Sequence, residues 1–150
     1  MRDTATASRR KHTILTVTRD TGTRELIKFM LRTVGFNTAE AVDSPSAIET
    51  IHRSRPDLVI LDQDLDRSNC LATCFRMRGL DATHAAPILI LADRIAELDP
   101  SVARSAGVAG FVPKPVRMPD LVESVGLLLP WRRERKSRIS LPFGPQRHTR

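Results

Sequence analysis

Two short segments limit what this chain can fold into. Residues 57–61 (DLVIL) and 87–92 (PILILA) are apolar throughout except for a leading Asp and Pro. A strand with one face in water alternates apolar and polar residues, whereas a strand covered on both faces reads as a continuous apolar run. These runs have strand length and are too short for buried helices. They predict central strands of a parallel sheet with helices packed on both sides.

The flanking segments supply those helices. Residues 13–18 form a short apolar, β-branched strand, and residues 36–41 a second. Between them, residues 21–34 place Leu26, Ile27, Met30, Leu31 and Val34 at helical spacing and stop at Gly35. Asp43 or Ser44 can cap a helix that Pro45 opens, with Ala47, Ile48 and Ile51 inward. Residues 71–77 suggest a third helix, 101–106 a weaker one ending at Gly107, 109–112 a fifth strand, and 119–129 a last amphipathic helix that Pro130 ends. Five βα units predict a doubly wound α/β sheet rather than a barrel. In such sheets ligands sit beyond the carboxyl ends of the strands. The candidate site therefore lies among residues 18–20, 62–66, 92–93 and 113–115.

The 150 residues suit one domain with a substantial core. The net charge of +7 belongs to the ends: residues 1–12 carry +3, residues 131–150 carry +6, and the body carries −2. The body thus shows no bulk signature of nucleic-acid binding. The expected organisation is a disordered basic arm (1–12), a body (13–130) and a disordered basic tail (131–150). No apolar run reaches the roughly 18 to 20 residues that span a bilayer, and the N-terminus lacks the apolar stretch of a secretory signal. Cys70 and Cys74 are too few for a disulfide framework or a zinc site. His12, His52, His84 and His148 are scattered. A reduced, cytoplasmic protein is the simplest expectation.

Several segments together resemble the receiver domain of two-component response regulators. PDLVILD (56–62) looks like the phosphoacceptor strand, AGVAGFVPKPV (106–116) like the Lys-Pro segment, PILILA like the fourth strand, and TRELIKFMLRTVGF (23–36) like the first helix and the turn after it. The resemblance covers about residues 13–129. It implies a flavodoxin-like (βα)5 fold with sheet order 2-1-3-4-5. It further implies that Asp62 is the phosphoacceptor, that Lys114, joined to Pro115 by a cis peptide, contacts the phosphoryl oxygens, and that Asp64 offers a backbone carbonyl to Mg²⁺. Phe111 occupies the switch-aromatic position.

The departures bear on chemistry. The family places two acidic residues after strand 1 to hold Mg²⁺; the corresponding residues here are Thr18 and Arg19, and Asp20 comes one place late. The Thr or Ser that ends the fourth strand in the family is Ala92. Phosphoryl transfer needs a cation to neutralise the equatorial oxygens, and Mg²⁺ relies on a few carboxylates. A methyl group donates no hydrogen bond to a phosphoryl oxygen. No cofactor is expected, with Mg²⁺ entering only if the pocket is more competent than its residues suggest. Lys114 is expected to pair with Asp62, joined by Arg19 if that side chain folds inward. Asp20 is expected to cap the first helix. DQDLDRSN (62–69) lacks the Gly and later Glu of an EF-hand loop.

Three functions follow as expectations. The first is an atypical, non-enzymatic receiver with impaired Mg²⁺-dependent phosphorylation, acting through protein partners such as a histidine kinase, phosphotransfer protein or downstream target. Its contact surface would be the fourth helix, fifth strand and fifth helix. The second is a conventional phosphorelay receiver phosphorylated on Asp62. The third is an adaptor that binds nucleic acid or an anionic membrane through its basic tails.

Overall fold

The computed structural model describes residues 11–65, 70–80 and 86–129. Strands and helices alternate: β1 Thr13–Val17, α1 Thr21–Thr33, β2 Asn37–Ala41, α2 Ser44–Ser54, β3 Leu58–Asp62, α3 Cys70–Arg78, β4 Ile88–Ala92, α4 Pro100–Ser105, β5 Val108–Pro113 and α5 Met118–Leu128. A single 3-10 turn, Ile95–Glu97, precedes α4. All strand pairs are parallel, in the order β2-β1-β3-β4-β5. The doubly wound architecture and its strand order are those expected.

Why β3 as far as Leu61, and β4 throughout, are apolar is visible in the two layers. Leu58 and Ile60 face one cluster with Ile27, Met30 and Leu31 of α1 and Leu121 and Val125 of α5. Val59 and Leu61 face the other, with Ala47 and Ile51 of α2, Cys74 and Met77 of α3 and Ala103 of α4. In β4, Leu89 and Leu91 join the first cluster, and Ile88, Ile90 and Ala92 the second. Each side of the pleat is covered, so no position is left for a polar residue until the strand ends.

Local chemistry sets the ends of the elements. Asp43 caps α2: its side chain accepts from the Ser46 amide, and the Ser46 hydroxyl reaches back to the Asp43 amide. These hydrogen bonds hold the Asp43 carboxyl below its ordinary range. Phe36 lies outside β2, because its amide closes α1 on the Leu31 carbonyl (3.0 Å) and its ring is buried. His12 belongs to the body rather than to an arm, since its carbonyl accepts from the Asn37 amide at 2.9 Å. Residues 1–10 of the basic arm, Pro130 and the tail from residue 131 lie outside the described residues.

Gly107 stands between α4 and β5 with φ +93°, a backbone region that side chains disfavour. A Cβ there would come within 2.5 Å of Arg78 Cδ. Gly107→Ala is therefore expected to cost about 1 kcal/mol, read as a lower urea midpoint with an unchanged slope.

Candidate functional site

Strand register assembles the pocket. Val17 pairs with Leu61, so Thr18 and Asp62, one residue further on, stand side by side at the carboxyl ends of β1 and β3. Ala92 pairs with Pro113, which brings Lys114 over the same end of the sheet. The Lys114 amide continues the β4–β5 ladder to the Ala92 carbonyl at 3.0 Å, and the Lys114–Pro115 peptide is cis.

Asp62 is 5% exposed, and both its carboxylate oxygens are engaged. Oδ1 accepts from Lys114 Nζ at 2.6 Å and from the Asp64 amide at 2.9 Å. Oδ2 accepts from the Thr18 hydroxyl at 2.6 Å. Thr18 is fully buried, and its Oγ1 in turn accepts from the Asp20 amide at 3.1 Å. A buried carboxylate needs this kind of satisfaction, a counter-charge plus neutral donors. Burial pulls the Lys114 ammonium down, but its bonds to Asp62 and Asp64 outweigh that, and it is held above its ordinary range.

A second tier surrounds this core. Asp64 accepts from Lys114 Nζ at 3.1 Å and from Arg94 Nη2 at 2.6 Å. The Arg94 guanidinium, then the Lys114 ammonium, hold the Asp64 carboxyl below the usual carboxylate range. Arg94 also reaches Asp93 at 2.8 Å and Glu97 at 3.0 Å. Gln63, buried beside Asp62, hydrogen-bonds the backbone of residues 93 and 94. Cation and carboxylate thus alternate from Asp62 outward, through Lys114 and Asp64 to Arg94.

Most of the expected site residues converge here, but Arg19 does not join Asp62. It is exposed, and its Nε donates to the Leu65 carbonyl at 3.3 Å. Thr18 takes the inward position, and along extended backbone the next side chain points away. Asp20 is the N-cap of α1, accepting from the Thr23 amide and hydroxyl, and those bonds hold its carboxyl low. Ala92 is buried, and Phe111 packs half-buried against the α2–α3–α4 side of the core. Cys70 and Cys74 are core residues; burial, with Cys70 alongside, pushes the Cys74 thiol up to about 12. Asp66 lies outside the described residues. Gln63 lies within the expected 62–66 stretch but had no role assigned, and Arg94 fell just outside the expected 92–93, because neither belongs to a recognisable pattern. The one available signal was an amide directly after a buried carboxylate at a strand end.

Comparison with known proteins gives one family. The profile of the response regulator receiver domain matches residues 14–126. The DNA-binding response regulator MtrA of Mycolicibacterium smegmatis is 33% identical over 112 residues, covering 75% of this chain and 48% of that protein. The chain thus spans about half the length of the curated relatives it matches. A putative response regulator from Chloroflexus aurantiacus superposes with TM-score 0.69 at 28% identity, covering 79% of this chain and 98% of the other. The receiver domain of the sensor histidine kinase PA1611 from Pseudomonas aeruginosa, solved with magnesium coordinated in its active-site cleft, has TM-score 0.69 at 21% identity, covering 79% and 98%. At that identity the last likeness concerns the fold alone.

Proposed function

The chain belongs to the response-regulator receiver family of two-component systems, and we propose that it is an atypical member, signalling through a protein partner with little reliance on Mg²⁺ or on a phosphoryl group at Asp62. The carrying observation is the Thr18 hydroxyl, which donates to Asp62 Oδ2 where the family pattern has an acidic residue.

The donor set here fits a divalent cation poorly. Mg²⁺ requires near-octahedral oxygen ligation and draws on carboxylates. Beside Asp62 it would meet a hydroxyl that already donates to the carboxylate and the Lys114 ammonium on the other oxygen. Asp64, which shares Lys114 with Asp62, is also bound by Arg94, and Asp20 is engaged by Thr23 as the α1 cap. Among the described residues no group of three or more His, Cys, Asp or Glu stands ready for a metal. The Lys114 ammonium supplies positive charge at the Asp62 carboxylate without a metal ion.

The test is Mg²⁺ titration followed by acetyl phosphate and intact-mass measurement. The expected result is no saturable Mg²⁺ binding in the millimolar range and little or no added phosphoryl mass. Rapid addition of one phosphoryl group, lost in Asp62→Asn, would return the protein to conventional phosphorelay chemistry. That second reading is favoured by one feature, the retained Asp62–Lys114 pair beside a cis Lys114–Pro115 peptide.

In the proposed role the protein is not an enzyme and needs no cofactor. It works in the cytoplasm and meets a histidine kinase, phosphotransfer protein or downstream target through α4, β5 and α5. Among the described residues no helix is long and apolar enough to cross a membrane. The adaptor reading, with nucleic acid or anionic membrane on the basic ends, rests on their charges of +3 and +6. Comparing the salt dependence of DNA binding by the full chain and by residues 13–130 decides it, because phosphate contacts release counterions.

A further inference from the structure

The loop after β4 is fastened to the loop after β3 by a residue to which the family resemblance assigns no role. Gln63 is 7% exposed and uses both ends of its carboxamide. Its Oε1 accepts from the Asp93 amide (3.1 Å) and the Arg94 amide (3.0 Å), and its Nε2 donates to the Arg94 carbonyl (2.9 Å). Outside this clasp, Arg94 spans Asp64, Asp93 and Glu97. Ala92, one residue before, has only a methyl to offer a phosphoryl group.

We propose that Gln63, seconded by Arg94, is a latch that holds residues 93–97 against the Asp62 loop independently of phosphorylation, so that the face built on α4 is presented constitutively. The consequence for signalling rests on the partner-binding reading above; the latch itself rests on the hydrogen bonds. The neutral amide is the principal element. Its side chain is buried and its three bonds are partly buried, whereas the Arg94 ion pairs are solvent-exposed and such pairs contribute little. The amide itself carries no charge for salt to screen or pH to titrate. Gln63 is a positioning residue, since it touches neither a substrate nor the Asp62 carboxylate.

The experiment is residue-resolved amide exchange on the full chain, with and without acetyl phosphate and Mg²⁺, and intact mass on the same samples. In the untreated chain the Asp93 and Arg94 amides are expected to be protected. Gln63→Leu, close in size but without the hydrogen bonds, should speed their exchange about tenfold or more while β1 and β3 stay unchanged. Arg94→Ala should have a smaller effect, and as an exposed position it serves if Gln63→Leu fails to fold. Unprotected Asp93 and Arg94 amides in the untreated chain overturn the latch. So does a loss in Arg94→Ala that equals or exceeds that in Gln63→Leu. Phosphoryl addition that changes exchange at residues 93–97 also overturns it. Addition that leaves their exchange unchanged overturns the impaired-phosphorylation reading and keeps the latch.

Discussion

Thr18→Asp/Arg19→Asp is expected to lose about 2–4 kcal/mol of stability in metal-free buffer and to regain most of it in millimolar Mg²⁺. Two effects add at Thr18. Its hydroxyl is the donor to Asp62 Oδ2 at 2.6 Å, in a fully buried position, so the substitution removes a hydrogen bond to a charged group. It also sets a second carboxylate against the first, and like charges that close resist joint ionisation. Arg19 contributes little to the loss, because its guanidinium lies on the Leu65 carbonyl and not on Asp62. A divalent cation then finds the acidic pair that the wild-type pocket lacks, and mass action restores the folded state. Urea titrations of wild type and variant, with chelator and with Mg²⁺, measure both halves. A variant as stable as wild type without metal, or indifferent to Mg²⁺, would show that Thr18 does not hold the metal position.

The fold was legible because its strongest signals are physical rather than statistical. LVIL (58–61) and ILILA (88–92) cannot be half-exposed, and the structure buries them between two helical layers. Asp43, Gly35 and Gly107 mark ends with defined chemistry: a side-chain cap and two glycines at positive φ. Phe36 misled, since an apolar residue beside a strand reads as part of it, whereas its backbone completes the end of α1.

The site divided differently. Asp62 and Lys114 are placed by strand ends, which a sequence reveals, and the structure pairs them at 2.6 Å. Arg19 turned on side-chain direction at the end of β1, which charge complementarity with Asp62 does not determine. Gln63 and Arg94 meet across 31 residues through backbone atoms of a loop. No composition or periodicity encodes such a contact, because the acceptor is a main-chain carbonyl that every residue possesses.

The Asp62–Lys114 pair yields the other large effect. Lys114→Met is expected to cost about 2–3 kcal/mol, and Asp62→Asn with Lys114→Met distinctly less than Lys114→Met alone. Asp62 is almost wholly buried while the Lys114 ammonium reaches solvent, with side-chain exposures of 7% and 22%. Removing the lysine therefore strands a buried charge on two neutral donors, Thr18 and the Asp64 amide. Removing the charge as well leaves an amide that needs only those neutral partners. The partial exposure of Lys114 sets the expected cost below that of a fully buried pair. The pH dependence adds a check of sign. Lys114 is held above its ordinary value in the folded chain, so its share of the stability is complete below the unfolded lysine value and fades as pH rises through the folded one. In wild type, stability should therefore decline above about pH 10 more steeply than in Lys114→Met. A double variant as unstable as Lys114→Met alone would mean that the lysine stabilises the fold through its aliphatic stem or Asp64, and that Asp62 does not depend on it for its charge.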